Sequence, residues 1–309
     1  MIGTLMRLIN RSGRAAAIPA ATPADRQLAD QMATAIAYLL KLTDEQAQPL
    51  VQAALGHRQR LRASPSAPTG SYDAAKLSLQ AALERGPCLL ALPFSVSGIE
   101  LLRGLSADTG LELVLLESPA LRTLRHEIPL ATRALPACAT RDAIKHVKAE
   151  VARRGRTVYV RFPELHLLGQ GTTAPVSFLD KTCRFSVFDP LLCSYGLDTL
   201  LTLDGAGNAL LSFDAAALRD AGQGAAMRAC LHWLVGNLQL AAAAAPAATL
   251  SWHQLYRATF HCHDIERDNQ LKQLDAYFAA WKRSPAGEAN HAVRFASAQV
   301  AALREAHQR

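Results

Sequence analysis

From residue 72 to residue 213, short apolar runs alternate with helical stretches, and this rhythm constrains the fold more than any other feature. Residues 72–85 carry a helical pattern that stops at Gly86-Pro87, a C-terminal glycine with a proline behind it. Residues 88–92 form an apolar run the size of a buried strand. A turn over 93–98 leads into a helix over 99–108 that ends at Gly110, and the next strand covers 111–116. A helix over 140–154 ends at Gly155, and residues 156–162 form another strand before Pro163. Further strands are expected near 175–179 and 198–203. Asp204-Gly205-Ala206-Gly207-Asn208 then turns the chain into 209–213 as a hairpin. Such alternation predicts an α/β fold with a mainly parallel or mixed central sheet flanked by helices.

The ends of the chain read as helical. Residues 10–25 lack periodicity, so 1–25 is expected to be a flexible lead-in. Leu28, Met32, Ile36 and Leu39/Leu40 recur at helical spacing over 26–42. Thr43-Asp44-Glu45-Gln46 is a capping box that starts a second helix, giving a helical pair over 26–62. Ser, Pro and Gly over 63–70 make a loop. Helices are expected again at 225–245, 251–261, 265–281 and 288–307. The expected organisation is one α/β domain over 26–285 followed by a C-terminal helix over 286–309.

The 309 residues carry a formal charge of +7, much of it in 57–62 and 145–156. A basic surface attracts phosphates, acidic carriers and anionic lipid, although such runs are ordinarily solvated helix faces. The six cysteines form no C-x-x-C pair and no signal peptide is recognisable, so buried thiols in a reducing, cytoplasmic setting are expected. No window reaches the roughly 18 apolar residues of a spanning helix. The longest apolar run, 238–250, is broken by Gln239 and Pro246. Arg7, Arg11 and Arg14 leave room for peripheral contact at the inner membrane. Aromatic content is 6% without basic–aromatic interleaving, which argues against nucleic acid. No nucleotide-binding loop is present, and no cofactor is expected. His261-Cys262-His263-Asp264 has metal-type side chains but no second cluster, so no metal is expected.

The segment carrying the most chemistry is Cys88-Leu-Leu-Ala-Leu-Pro-Phe-Ser-Val-Ser-Gly-Ile-Glu100: a strand, a tight turn and a helix start with an acid. Sites often sit at the carboxyl ends of such strands. This segment resembles the first motif of the lysophospholipid and glycerolipid acyltransferase superfamily, nearest the lipid A lauroyl and myristoyl acyltransferases. There a strand leads to histidine, four residues, then Asp or Glu. Glu100 falls on the acid and Ser95 on the histidine, with Phe94 and Gly98 as substrate contacts. The resemblance extends over roughly 26–260. Arg156-Thr-Val-Tyr-Val-Arg161-Phe-Pro-Glu164 is similar to the later strand ending in Pro and an acid, which places Arg161 and Glu164 at the site. Residues 169–179 resemble the family's glycine-containing loop and following strand. Residues 194–203 resemble its next helix end and strand, and Pro246 with Trp252 and Tyr256 its C-terminal helix. The resemblance implies transfer of an acyl group from coenzyme A or acyl carrier protein to a hydroxyl or amine acceptor. It also expects an arginine after the second strand. Glu117 stands near there, and Arg122 and Arg125 are the next basic residues, with Arg125 the candidate donor contact.

Ser95 departs from that pattern, because a hydroxyl cannot act as a base near pH 7 while an imidazole can. Three readings follow: Ser95 as a nucleophile with a base from elsewhere, an acceptor that needs less base assistance, or an inactive homologue that binds a carrier or partner enzyme. A serine here is equally a helix cap. His166, two residues past Glu164, is the preferred substitute base. His126-Glu127 is a second candidate, and Lys181 and Arg184 are candidate phosphate contacts.

Overall fold

The structure, a computed structural model, describes residues 23–64, 72–166, 173–216, 223–256 and 258–259. The chain divides into two compact units, Met1–Ala258 and Thr259–Arg309, and every element below belongs to the first. Of the expected lead-in over 1–25, residues 1–22 lie outside the described residues and 23–25 already belong to a helix; the helices expected at 265–281 and 288–307 lie outside the described residues.

Helices α1 (Pro23–Leu40) and α2 (Asp44–Ala63) form the expected pair. The capping box is formed: Thr43 Oγ1 accepts from the Gln46 amide at 3.3 Å, and Gln46 Oε1 accepts from the Thr43 amide at 3.0 Å. After α3 (Asp73–Leu83) come β1 (Cys88–Ala91), α4 (Val96–Ala107), β2 (Glu112–Glu117), α5 (Pro119–Glu127), β3 (Ala137–Ala139), α6 (Thr140–Ala152) and β4 (Thr157–Arg161). A short 3-10 turn, Pro163–His166, precedes an antiparallel hairpin of β5 (Thr173–Phe178) and β6 (Lys181–Ser186). Then follow α7 (Phe188–Ser194), β7 (Thr199–Leu203), β8 (Leu210–Asp214), α8 (Gln223–Ala244) and α9 (Trp252–Tyr256).

The central sheet has strand order β3-β2-β4-β1-β7-β8, parallel except for β8. The fold is therefore α/β with a mixed sheet flanked by helices, as the alternation predicts. Strands β1, β4 and β7 are buried at every position, as central parallel strands covered on both faces must be. Their side chains alternate between two cores. Cys88 and Leu90 pack with α3, α4 and α5, while Leu89 and Ala91 pack with α1, α2, α6, α7 and α8. Connections leaving β1 and β2 run one way along the sheet, and those leaving β3 and β4 run the other. Because such crossovers share one hand, the two sets of helices fall on opposite faces.

Two strands lie outside the expected set. β3 is three residues long, too short for a periodic signal. β6 is joined to β5 by Leu179 and Asp180, both at positive φ (51° and 62°), so the turn uses neither Gly nor Asn. The five cysteines among the described residues are buried and form no disulfide with one another. No helix among the described residues is long and apolar enough to cross a membrane.

Candidate functional site

β1 and β4 are neighbours whose following helices lie on opposite faces, so the chain parts at their carboxyl ends. In open α/β sheets that crevice is where ligands bind. Both segments singled out by sequence emerge there. The Leu92 amide closes the ladder onto the Arg161 carbonyl at 2.8 Å. Two residues on, the Phe94 amide donates to Glu164 Oε1 at 3.4 Å. The Phe94 ring is buried edge-on against Phe162, with centroids 5.5 Å apart.

Glu164 is only 4% exposed, and its Oε2 has no hydrogen-bond partner among the described residues. Burial pushes its carboxyl up to about 8. Amide hydrogen bonds, Phe94's among them, oppose this, the charge of Asp189 adds to it and Arg161 reduces it. Near neutrality the side chain is thus mostly a carboxylic acid, within reach of ionisation. Arg161 is fully buried at the last position of β4. Its Nη1 lies 3.1 Å from Asp189 Oδ2, and its guanidinium stands 4.5 Å over the Phe188 ring. None of its three guanidinium nitrogens makes a hydrogen bond among the described residues, and neither does Asp189 Oδ1. Burial lowers Arg161 and raises Asp189, and the contact between them opposes both shifts. Asp189, in the first turn of α7, is the residue that sequence reasoning missed. Nothing in its own surroundings marks it, since its partner is 28 positions away and only the crossover from β4 to α7 brings them together.

Ser95 is the N-cap of α4: its backbone is extended and its Oγ accepts from the Gly98 amide at 3.1 Å. No imidazole is hydrogen-bonded to it among the described residues. Gly98 is demanded by the geometry, because a Cβ there would lie 2.1 Å from the Pro93 carbonyl oxygen. The chain then returns over the crevice. Thr249 bridges to Ser95, the Leu250 amide donates to the Phe94 carbonyl at 2.9 Å, and residues 249–255 are buried. In this roof His253 is 7% exposed, with its Nε2 3.1 Å from Gln254 Nε2. It is a buried imidazole that sequence reasoning did not single out, although it adjoins Trp252.

The structure therefore brings Phe94, Ser95, Gly98, Arg161 and Glu164 to one crevice. Glu100 lies further along α4, half-buried, where its charge acts on Tyr72 and Arg103. Arg125 pairs with Glu117 at 2.8 Å, as Arg122 does at 3.0 Å, and neither pairs with a crevice residue. Glu127 is engaged by Arg62 and by Arg58, the latter at 3.5 Å. Lys181 stands over the Tyr38 ring, and Arg184 donates to Thr173 Oγ1 at 3.1 Å. The His166 side chain and residues 261–264 lie outside the described residues. Among the described residues, no group of three or more His, Cys, Asp or Glu could hold a metal ion.

On the other side of Ser95, a shallow recess with about 20 Å³ of enclosed space, room for little more than a water-sized group, lies between the ends of β1 and β7. Ser95, Ser97, Thr249 and Asp204 supply its polar groups, and Ala241, Ala245 and Ala248 its methyl walls. No family model matches the chain, and no curated protein matches it.

Proposed function

We propose that this protein transfers an acyl group from a thioester, coenzyme A or acyl carrier protein, to a hydroxyl or amine acceptor at the crevice between β1 and β4. The reading extends the motif resemblance around Ser95 and Glu100 to the lipid A acyltransferase type. It places the protein in lipid or specialised-metabolite synthesis in the cytoplasm or at the inner face of a membrane. The observation that carries it is the Glu164 carboxyl: buried at a strand end, held by the Phe94 amide and raised to about 8. A general acid–base group works best with a pKa near the operating pH, which the departing thiol and the entering acceptor both require. Glu164 thus takes the proton-transfer role that the family gives to histidine, and Ser95 keeps the turn in shape.

The test is incubation with a panel of acyl thioesters and acceptors, with products read by mass spectrometry. Glu164→Gln is expected to lower turnover about 10²-fold or more, the usual size of lost general-base assistance. Unchanged turnover in that variant overturns the role.

A second reading, an inactive homologue that binds an acyl carrier or partner enzyme, is favoured by a different observation. The Ser95 hydroxyl is engaged in capping, and the roof over 249–255 closes the crevice. Carrier binding without product formation for any thioester selects it.

A further inference from the structure

We propose that Asp189 is a positioning residue for Glu164: it holds the Arg161 guanidinium against α7 and so keeps that cation from pairing with the Glu164 carboxyl. Two carboxyls and one guanidinium are buried together at the end of β4, and only one carboxyl has the guanidinium. The first turn of α7 grips Arg161 twice, with the Asp189 carboxylate at 3.1 Å and the Phe188 ring at 4.5 Å. The start of α7 is itself fixed, because the Phe188 amide donates to the buried Ser186 Oγ at 3.2 Å. Glu164 is held separately, by the Phe94 amide beyond the end of β1. Among the described residues, Arg161 makes its ion pair with Asp189 and none with Glu164.

The division matters because an arginine paired with a carboxyl lowers its pKa by about one to three units. Glu164 would then be a fixed anion and a weak base. With Arg161 committed to α7, the two charges act on Glu164 in opposite directions: Asp189 favours its protonated form and Arg161 its ionised form. Burial, the largest influence, then decides, and Glu164 can gain and lose a proton near neutrality.

Other charged groups on the elements packed around Glu164 are engaged elsewhere. On α5, Arg122 and Arg125 pair with Glu117, and Glu127 pairs with Arg58 and Arg62. On β6, Lys181 stands over the Tyr38 ring and Arg184 donates to Thr173. On α9, the His253 ring lies beside the Gln254 amide. Among the described residues, Arg161 and Asp189 are the side-chain charges that act on Glu164.

The electrostatic role rests on these three buried groups alone. Its use rests on the acyl-transfer reading above, in which Glu164 takes the proton of the acceptor and returns it to the departing thiolate.

The experiment is an infrared titration of the full chain that follows the protonated-carboxyl band, with Glu164→Gln identifying the share of Glu164. The parent midpoint is expected at about 8. Asp189→Asn, which keeps the shape and removes the charge, should lower it by at least about one pH unit. Asp189→Ser should do the same and takes its place if the asparagine variant does not fold. Arg161→Met/Asp189→Leu removes the cation as well, and should return the midpoint to within about half a unit of the parent, since burial remains. An unmoved midpoint in the folded single variant overturns the role. So does a double variant as low as the single one, which would mean that the site had merely opened to water. A second arm measures kcat against pH with octanoyl coenzyme A and the acceptor panel. In Asp189→Asn the rising limb should move to lower pH with the midpoint, and its plateau should fall while KM stays. Absence of product from the parent overturns the acyl-transfer reading and leaves the shifted midpoint, and the role of Asp189, standing.

Discussion

Arg103 and Arg161 are both buried, at 3% and 0% exposure, yet they are treated in opposite ways. Arg103 on α4 spends its whole guanidinium on backbone carbonyls. Its Nε and Nη2 donate to Pro129 at 2.9 and 2.6 Å, Nη1 to Ser64 at 2.7 Å and Nη2 also to Leu61 at 2.7 Å. It ties the end of α2 to the loop after α5. Arg161 has an ion pair and an aromatic face but no hydrogen bond among the described residues. A buried polar group left without partners costs free energy, and folded proteins keep few of them. A satisfied buried arginine serves structure, and one left without hydrogen bonds beside a carboxyl whose pKa burial has raised is where a functional role is worth testing.

The largest effect expected from this contrast is at Arg103. Arg103→Met keeps much of the apolar stem and removes four charge-assisted hydrogen bonds, so it should cost about 4 kcal/mol or more. Urea denaturation gives the value. A loss below about 1 kcal/mol would show that the carbonyls find other partners and that the clamp is not structural.

At Arg161 the prediction has a different form. Asp189→Leu alone leaves a buried, uncompensated guanidinium and should cost about 3 kcal/mol. Adding Arg161→Met should restore stability to within about 1–2 kcal/mol of the parent, because two apolar groups replace a buried charge pair whose guanidinium makes no hydrogen bond among the described residues. The same double variant should lose turnover. If it is as unstable as the single variant, the pair is structural after all and the contrast with Arg103 fails.

Sequence shows these residues unequally, for physical reasons. The strand at β1 is legible because Gly86-Pro87 stops the helix before it and every residue in it is apolar. Glu164 is legible because it lies just beyond a strand, after the proline that ends it. The Thr43 capping box is legible because its signal is local. Asp189 and Arg103 are not, since their partners are 28 and about 26–42 positions away and pairing at that range is decided by topology. Strand β6 was hidden by a turn of Leu179-Asp180, where positive φ is bought against side-chain preference. Arg161 read as a substrate contact from its place in a motif; its ion pair with Asp189 is visible only in the fold.

Glu164 offers a smaller, pH-dependent test. Its carboxyl is raised from 4.5 to about 8 in the folded chain. Below about pH 4 both folded and unfolded forms carry the proton, and the group does not distinguish them. Between 4.5 and about 8 the unfolded chain releases it while the folded chain keeps it, so stability falls as pH rises. The expected contribution is roughly 1 kcal/mol of lost stability per pH unit within that window. Glu164→Gln, neutral at every pH, should flatten this slope relative to the parent in melts run from pH 5 to pH 8. Parallel slopes in the two proteins would mean that Glu164 is ionised in the folded state and is no poised acid.

The smallest effect is expected at Ser95, the position that most separates this chain from the family it resembles. If capping is its whole role, Ser95→Ala loses one bond to the Gly98 amide and costs about 1 kcal/mol, while Ser95→Gly costs only a few tenths. Turnover should then follow stability and fall little in either variant. A nucleophile behaves otherwise: both variants would abolish turnover equally, whatever their stabilities, and a short pulse of acyl thioester would leave a mass adduct on the parent peptide containing Ser95. The alanine–glycine pair separates the two roles because the backbone of glycine can still enter the helix without a side-chain cap, whereas neither residue carries an oxygen that can be acylated. An adduct on Ser95 would move proton transfer at Glu164 from the acceptor to the serine, and would make the extended cap geometry at 95 the ground state of a nucleophile that must leave the Gly98 amide before it attacks.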